Sequence, residues 1–135
     1  MKEFPLQKID FTKAKIQGKD GSVSIEVGVA PFELSLDGYS ENVDTCIRLD
    51  CVRIPRNPME LEGREFAFPI NPAPGYIDAS IYFFAAHNPV DVTKIVFGNI
   101  QSNKLPITLE TNWILEYERT GFRNLRKTVV TSIEL

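Results

Sequence analysis

Gly75 to Ile100 reads GYIDASIYFFAAHNPVDVTKIVFGNI and holds the strongest strand signal of the chain together with its single histidine. Side chains alternate across a strand, so Ile77, Ala79, Ile81, Phe83 and Ala85 form one apolar face. The other parity, Tyr76, Asp78, Ser80, Tyr82, Phe84 and Ala86, starts polar and turns aromatic. One dry face and one partly dry face place such a strand near the middle of a sheet. The apolar positions follow period two better than period 3.6, which disfavours a helix. Pro89 cannot donate to a ladder and drives Asn88 out of helical geometry, so His87-Asn88-Pro89-Val90-Asp91 reads as a polar corner. Val92 to Phe97 resumes as a strand and Gly98-Asn99 ends it. Two strong strands so close in sequence are expected to pair.

Outward from this stretch the same period recurs. Val23, Ile25, Val27 and Val29 alternate with Ser22, Ser24 and Glu26. Gly18 to Gly21 is a turn signal that joins them to Phe4–Gln17, a strand of uneven alternation, as a hairpin, with a bulge expected near Lys13 to Lys15. Phe32–Leu36 is a short strand and Asp37-Gly38 opens a loop through Asn42. Thr45–Ile54 is a strand with Ile47, Leu49 and Cys51 on one parity. Asn57 and Pro58 open a single helical turn that Gly63 stops. Phe66 and Phe68 mark another strand. Pro69 to Gly75 is too rich in proline to lie inside a sheet, and its apolar flanks make it a loop or sheet crossing rather than a linker. Pro106–Arg119 is read as one long strand, with Ile107, Leu109, Trp113, Leu115 and Tyr117 on one face. It turns at Thr120–Asn124 into a last strand from Leu125. Glu116 and Glu118 on one arm and Arg123, Arg126 and Lys127 on the other suggest cross-strand ion pairs.

The fold class is therefore all-β with little or no helix: a single antiparallel β-sandwich domain over residues 1–135, of about eight to ten short strands, with a flattened β-barrel as the alternative. A chain of 135 residues with 43% hydrophobic and 24% charged residues can bury a core of its own and is not of disordered composition. Its nine Phe against two Met imply a core of rigid rings. A net charge of −3 argues against general nucleic-acid binding, which needs a basic surface. No apolar run reaches membrane-spanning length and no signal peptide is visible. Cys46 and Cys51 would lie about 16 Å apart on a continuous strand, beyond disulfide reach, so free thiols and a cytoplasmic location are expected.

One histidine and two separated cysteines do not make a usual structural zinc site, and no phosphate loop, dinucleotide fingerprint or nucleophile elbow is present; no metal and no cofactor are expected. Three constellations remain. Tyr76, Asp78, His87, Asn88 and Asp91 could line a polar pocket with His87 as a base oriented by a carboxylate; against this, Asn and Asp equally serve turns, and His87 would then cap a strand end. Arg48, Arg53, Arg56 and Arg64 could grip an anionic ligand or an acidic partner, or simply pair with Asp50 and Glu62 on solvated faces. Phe66, Phe68, Tyr76, Tyr82 and Phe84 are an interface if exposed and core if buried.

The absent chemistry favours a non-enzymatic intracellular protein-interaction domain, of the immunity or inhibitor type and bacterial in character, whose acidic balance suits a basic partner. Self-association as a homodimer is the other interaction expected, because sandwich edges need cover. The alternative is a small-molecule or carbohydrate-binding β-sandwich, or an enzyme on that scaffold, using the polar site around His87.

Overall fold

The fold is known from a computed structural model that describes every residue from Met1 to Leu135. Ten strands follow in order: β1 (Phe11–Lys19), β2 (Ser22–Val29), β3 (Phe32–Leu36), β4 (Tyr39–Val43), β5 (Cys46–Val52), β6 (Glu65–Ala67), β7 (Asp78–Phe83), β8 (Ala86–Phe97), β9 (Lys104–Trp113) and β10 (Leu125–Glu134). The only α-helix is one turn, α1 (Pro58–Leu61). Asn57 caps it through its side chain, which accepts the Met59 N–H at 3.0 Å, with Pro58 in the first turn. No helix is long and apolar enough to cross a membrane.

The expected sandwich is corrected to its alternative. The strands run β1-β2-β5-β7-β8-β9-β10, and β10 returns to β1, so seven of them close into a barrel. Two pairings make the closure. β8 pairs with β9 from Val90↔Trp113 to Phe97↔Ile107, and β1 meets β10 in parallel at Ala14↔Ile133. The Thr131 hydroxyl donating to the Thr12 carbonyl extends that seam. Alternation along each strand marks a dry face for sandwich and barrel alike. Only long-range pairing separates the two. β6 takes the edge of β8 beyond the point where β7 leaves it, at Glu65↔Val96 to Ala67↔Lys94.

The interior is filled. One cluster of 32 buried apolar residues runs through the barrel, with Ile25, Ile47, Leu49, Ile81, Ile95, Leu109 and Trp113 fully buried. Thr111, on an inward position, accepts the Trp113 indole N–H at 3.0 Å, so the largest core side chain carries no unpaired donor. The β3–β4 hairpin is a separate two-stranded sheet. It turns at Asp37 and Gly38, both at positive φ, and buries Phe32, Leu34 and Val43. Phe4 packs at ring-centroid distances of 5.3 to 6.3 Å against Phe32, Phe83, Trp113 and Phe122, an aromatic plug beneath that hairpin.

Three local readings change. The corner is not His87–Asp91: Phe83 pairs with Ala86 across a two-residue turn, and His87 to Asp91 continue β8. That turn uses Phe84 (φ 51°) and Ala85 (φ 56°) in the left-handed region without Gly or Asn, so no turn signature marks it. Tyr39–Val43, read as loop, is the second arm of the capping hairpin. The long strand ends at Trp113. Beyond it the Glu116 N–H donates to Asn124 Oδ1 at 2.9 Å and the Asn124 N–H to Glu116 Oε2 at 3.0 Å, which closes a loop and leaves Tyr117 72% exposed. Glu116 and Glu118 form no ion pairs with the basic arm; Arg123 instead meets Glu3 at 3.4 Å.

Candidate functional site

Side chains on the outer face of β2, β5, β7 and β8 converge on a shallow groove of about 460 Å³. Register builds it. Glu26 lies opposite Arg48, Arg48 opposite Ser80, and Ser80 opposite Pro89, one row across four strands. Tyr82 lies opposite His87 in the next outward row. Their rings meet at 4.7 Å, tilted by 54°. Cys46 follows Asp44 and Thr45, which lead out of β4, and completes the lining.

The groove is polar and its charges are partly spent. Arg48 Nε donates to Asp50 Oδ2 at 3.2 Å, and its Nη1 stands 3.8 Å from Glu26 Oε1. Ser24 donates to the other Asp50 oxygen at 2.8 Å. The Cys46 thiol donates to Glu26 Oε1 at 3.5 Å. Burial, and then the Glu26 carboxylate, push that thiol above its ordinary pKa, the reverse of what an activated nucleophile needs. His87 forms no hydrogen bond to a carboxylate, hydroxyl or thiol, so the base-and-orienter pair that acid–base chemistry asks for is not assembled on it.

The expected site residues scatter. Asp78 is exposed on the outer face opposite Asp50. Asp91 is half-buried on the same face opposite Asn112; burial raises its carboxyl above the usual range. Tyr76 is half-buried in the loop before β7. Asn88 faces inward, fully buried, and its amide donates to Ala86 O at 3.1 Å and Ile81 O at 3.2 Å. The arginines do not form one group. Arg48 lines the groove, and Arg53 is exposed in the loop after β5. The backbone N–H of Arg56 donates to Asp20 at 2.8 Å. Arg64 lies over the Phe66 ring at 4.8 Å and donates to Glu60 O. The aromatic group divides too: Phe66, Phe68 and Phe84 pack on the core, whereas Tyr82 is 47% exposed.

The structure thus joins His87 with Arg48 and with Tyr82 of the aromatic group, and adds Glu26, Asp44 and Cys46 to them. The alternation of β2 already put Glu26 outside. What sequence lacked was the strand order that sets β2 beside β5 and β5 beside β7. No family model matches the chain, and no curated protein or solved structure is significantly similar to it.

Proposed function

We propose that this chain is a non-enzymatic protein-interaction domain, of the inhibitor or immunity type, that docks a basic partner on the outer face of β2, β5, β7 and β8. One observation carries the reading. On that face Glu26, Asp50, Asp78 and Asp91, with Asp44 beside them, outnumber the cations Arg48 and Lys94, the second of which is paired with Glu65 of β6. Such a face speeds encounter with a basic surface and rejects acidic ones. The filled core agrees, since it leaves recognition to the outside. The two free thiols suit a reducing cytoplasm. Closure of the barrel removes most free edges, and with them the motive for a homodimer.

The test pairs capture with charge reversal. A partner taken from host lysate by the wild-type chain is purified, and its affinity is measured calorimetrically against Glu26→Lys/Asp78→Lys and against Lys2→Glu/Lys104→Glu, which lie off those four strands. The expected result is a loss of tenfold or more for the first variant and little change for the second. Equal affinity for all three chains would refute the docking face.

A small molecule or carbohydrate in the same groove is the second reading. The groove's volume falls in the range of ligand sites, and Tyr82 offers an exposed ring as a platform.

A further inference from the structure

The free charges of the groove are of one sign. Asp44 makes no hydrogen bond or ion pair, Glu26 uses only Oε1, and the Tyr82 hydroxyl is unpartnered. The one fixed cation, Arg48, is already held by Asp50 and Glu26. What remains is a pair of carboxylates with free oxygens beside the exposed Tyr82 ring, which meets the His87 ring at 4.7 Å. An anion would have to pull Arg48 from two carboxylates and face Asp44. A donor-rich planar cation suits both features of the groove, with N–H donors for the carboxylates and a plane for the tyrosine ring.

We infer that the groove receives an arginine side chain of the basic partner, with Tyr82 as its stacking wall and Glu26 and Asp44 as its counter-charges. This deepens the docking reading and rests on it for the source of the arginine; the groove's preference for a guanidinium stands on its own geometry. Arginine fits better than lysine because a point charge cannot both stack and fork between two carboxylates.

The probe is a six-residue arginine peptide, with six-residue lysine and glutamate peptides as comparators, titrated into the full chain and followed by backbone amide NMR. The expected shifts centre on Thr45, Cys46, Tyr82 and His87 for the arginine peptide, are weaker for lysine and absent for glutamate. Tyr82→Ala is expected to weaken the arginine peptide about three- to fivefold, since exposed cation–π contacts are of that size, while Tyr82→Phe retains it. Glu26→Gln/Asp44→Asn is expected to cost about fivefold. All these side chains are at least partly exposed, and amide spectra report directly whether each variant is folded. Shifts spread evenly over Asp78, Asp91, Glu116 and Glu118, or binding indifferent to Tyr82→Ala, would overturn the inference. If the peptide misses the groove while the captured partner still depends on Glu26 and Asp78, the arginine inference falls and the docking face survives. If the peptide binds at Tyr82 while the partner ignores the face, the reverse holds.

Discussion

Asn88→Asp is the substitution whose effect the structure sets most tightly. Asn88 is 0% exposed, and its amide nitrogen lies 3.1 Å from Ala86 O, 3.2 Å from Ile81 O and 3.5 Å from Phe83 O. Its Oδ1 has no partner. An aspartate there would aim acceptor oxygens at three carbonyl oxygens, with no cation near to hold its charge, so the folded state must keep it protonated. Holding a carboxyl of ordinary pKa ~3.9 neutral at pH 7 costs about 4 kcal/mol, at 1.36 kcal/mol per unit. The acid has one donor where the amide had two, which adds about 1 kcal/mol. Because the folded pKa is raised, the variant keeps its full stability below the ordinary aspartate range and loses it as pH rises through that window. The measured quantity is the difference in thermal midpoint between variant and wild type at each pH. At pH 7 it should be roughly 15–30 °C, from about 3–6 °C per kcal/mol in a domain of this size. Near pH 4 it should shrink to a few degrees. Asn88→Leu, which removes donor and orphaned acceptor together, should cost less than Asn88→Asp at pH 7 and show no such pH dependence. A pH 7 deficit under 5 °C for Asn88→Asp, or a deficit that acid does not relieve, would refute this account of the buried amide.

Ala85 is exposed at φ 56°, where an L side chain is strained, so Ala85→Gly should stabilise by about 0.5 kcal/mol after the glycine's extra unfolded-state entropy is subtracted; a lower denaturant midpoint for the variant would count against strain at this turn. The raised carboxyl of Asp91 makes its ionisation a small cost to the fold, absent below the ordinary carboxylate range and felt as pH rises through the raised value. Asp91→Asn should therefore gain about 0.5 kcal/mol or less at pH 7, given solvent screening on this face, and nothing near pH 3.5; equal gains at both pH values, followed by urea unfolding, would assign the effect to something other than charge.

Legibility in the sequence followed the range of the forces involved. Val23 to Val29 alternates apolar and polar, and β2 buries Val23, Ile25, Val27 and Val29 as that pattern requires. The Asp20-Gly21 turn and the Asn57-Pro58 cap are local chemistry, and both occur where the residues indicate. The bulge expected near Lys13 lies between Phe11 and Ala14. Cys51 breaks its strand's parity: at φ 60° it bulges outward, and Val52 takes the inward place. Closure was not legible, because the β1–β10 seam joins Ala14 to Ile133, residues at opposite ends of the chain. Half of the candidate site was found and half missed for the same reason. His87 and Arg48 stood out as residue types. Glu26, Asp44 and Cys46 are unremarkable until β2, β5 and β7 stand side by side.

The placement of the groove depends on a residue that does not line it. In β8 side chains alternate from the turn onward, so whichever parity Asn88 takes decides the side of His87, Pro89 and Asp91. A slip of one residue would send His87 and Asp91 into the apolar core and bring Val90 and Val92 out. Val90, Val92, Ile95 and Phe97 oppose that slip farther along β8, but Ala86 to Pro89, next to the turn, contains no large apolar side chain to do so. Asn88 supplies the missing specification: only inward, between Ile81, Phe83 and Ala86, does its amide find carbonyls. The turn it closes carries two residues in left-handed geometry, held from outside by Glu41, whose carboxylate accepts the Phe84 N–H at 2.9 Å, and by the Phe84 ring stacked 5.9 Å from Phe122. A buried polar group that is costly to leave unpaired thereby favours one register over its neighbours. That register is what sets His87 across from Tyr82 and brings both side chains to the lining of one groove.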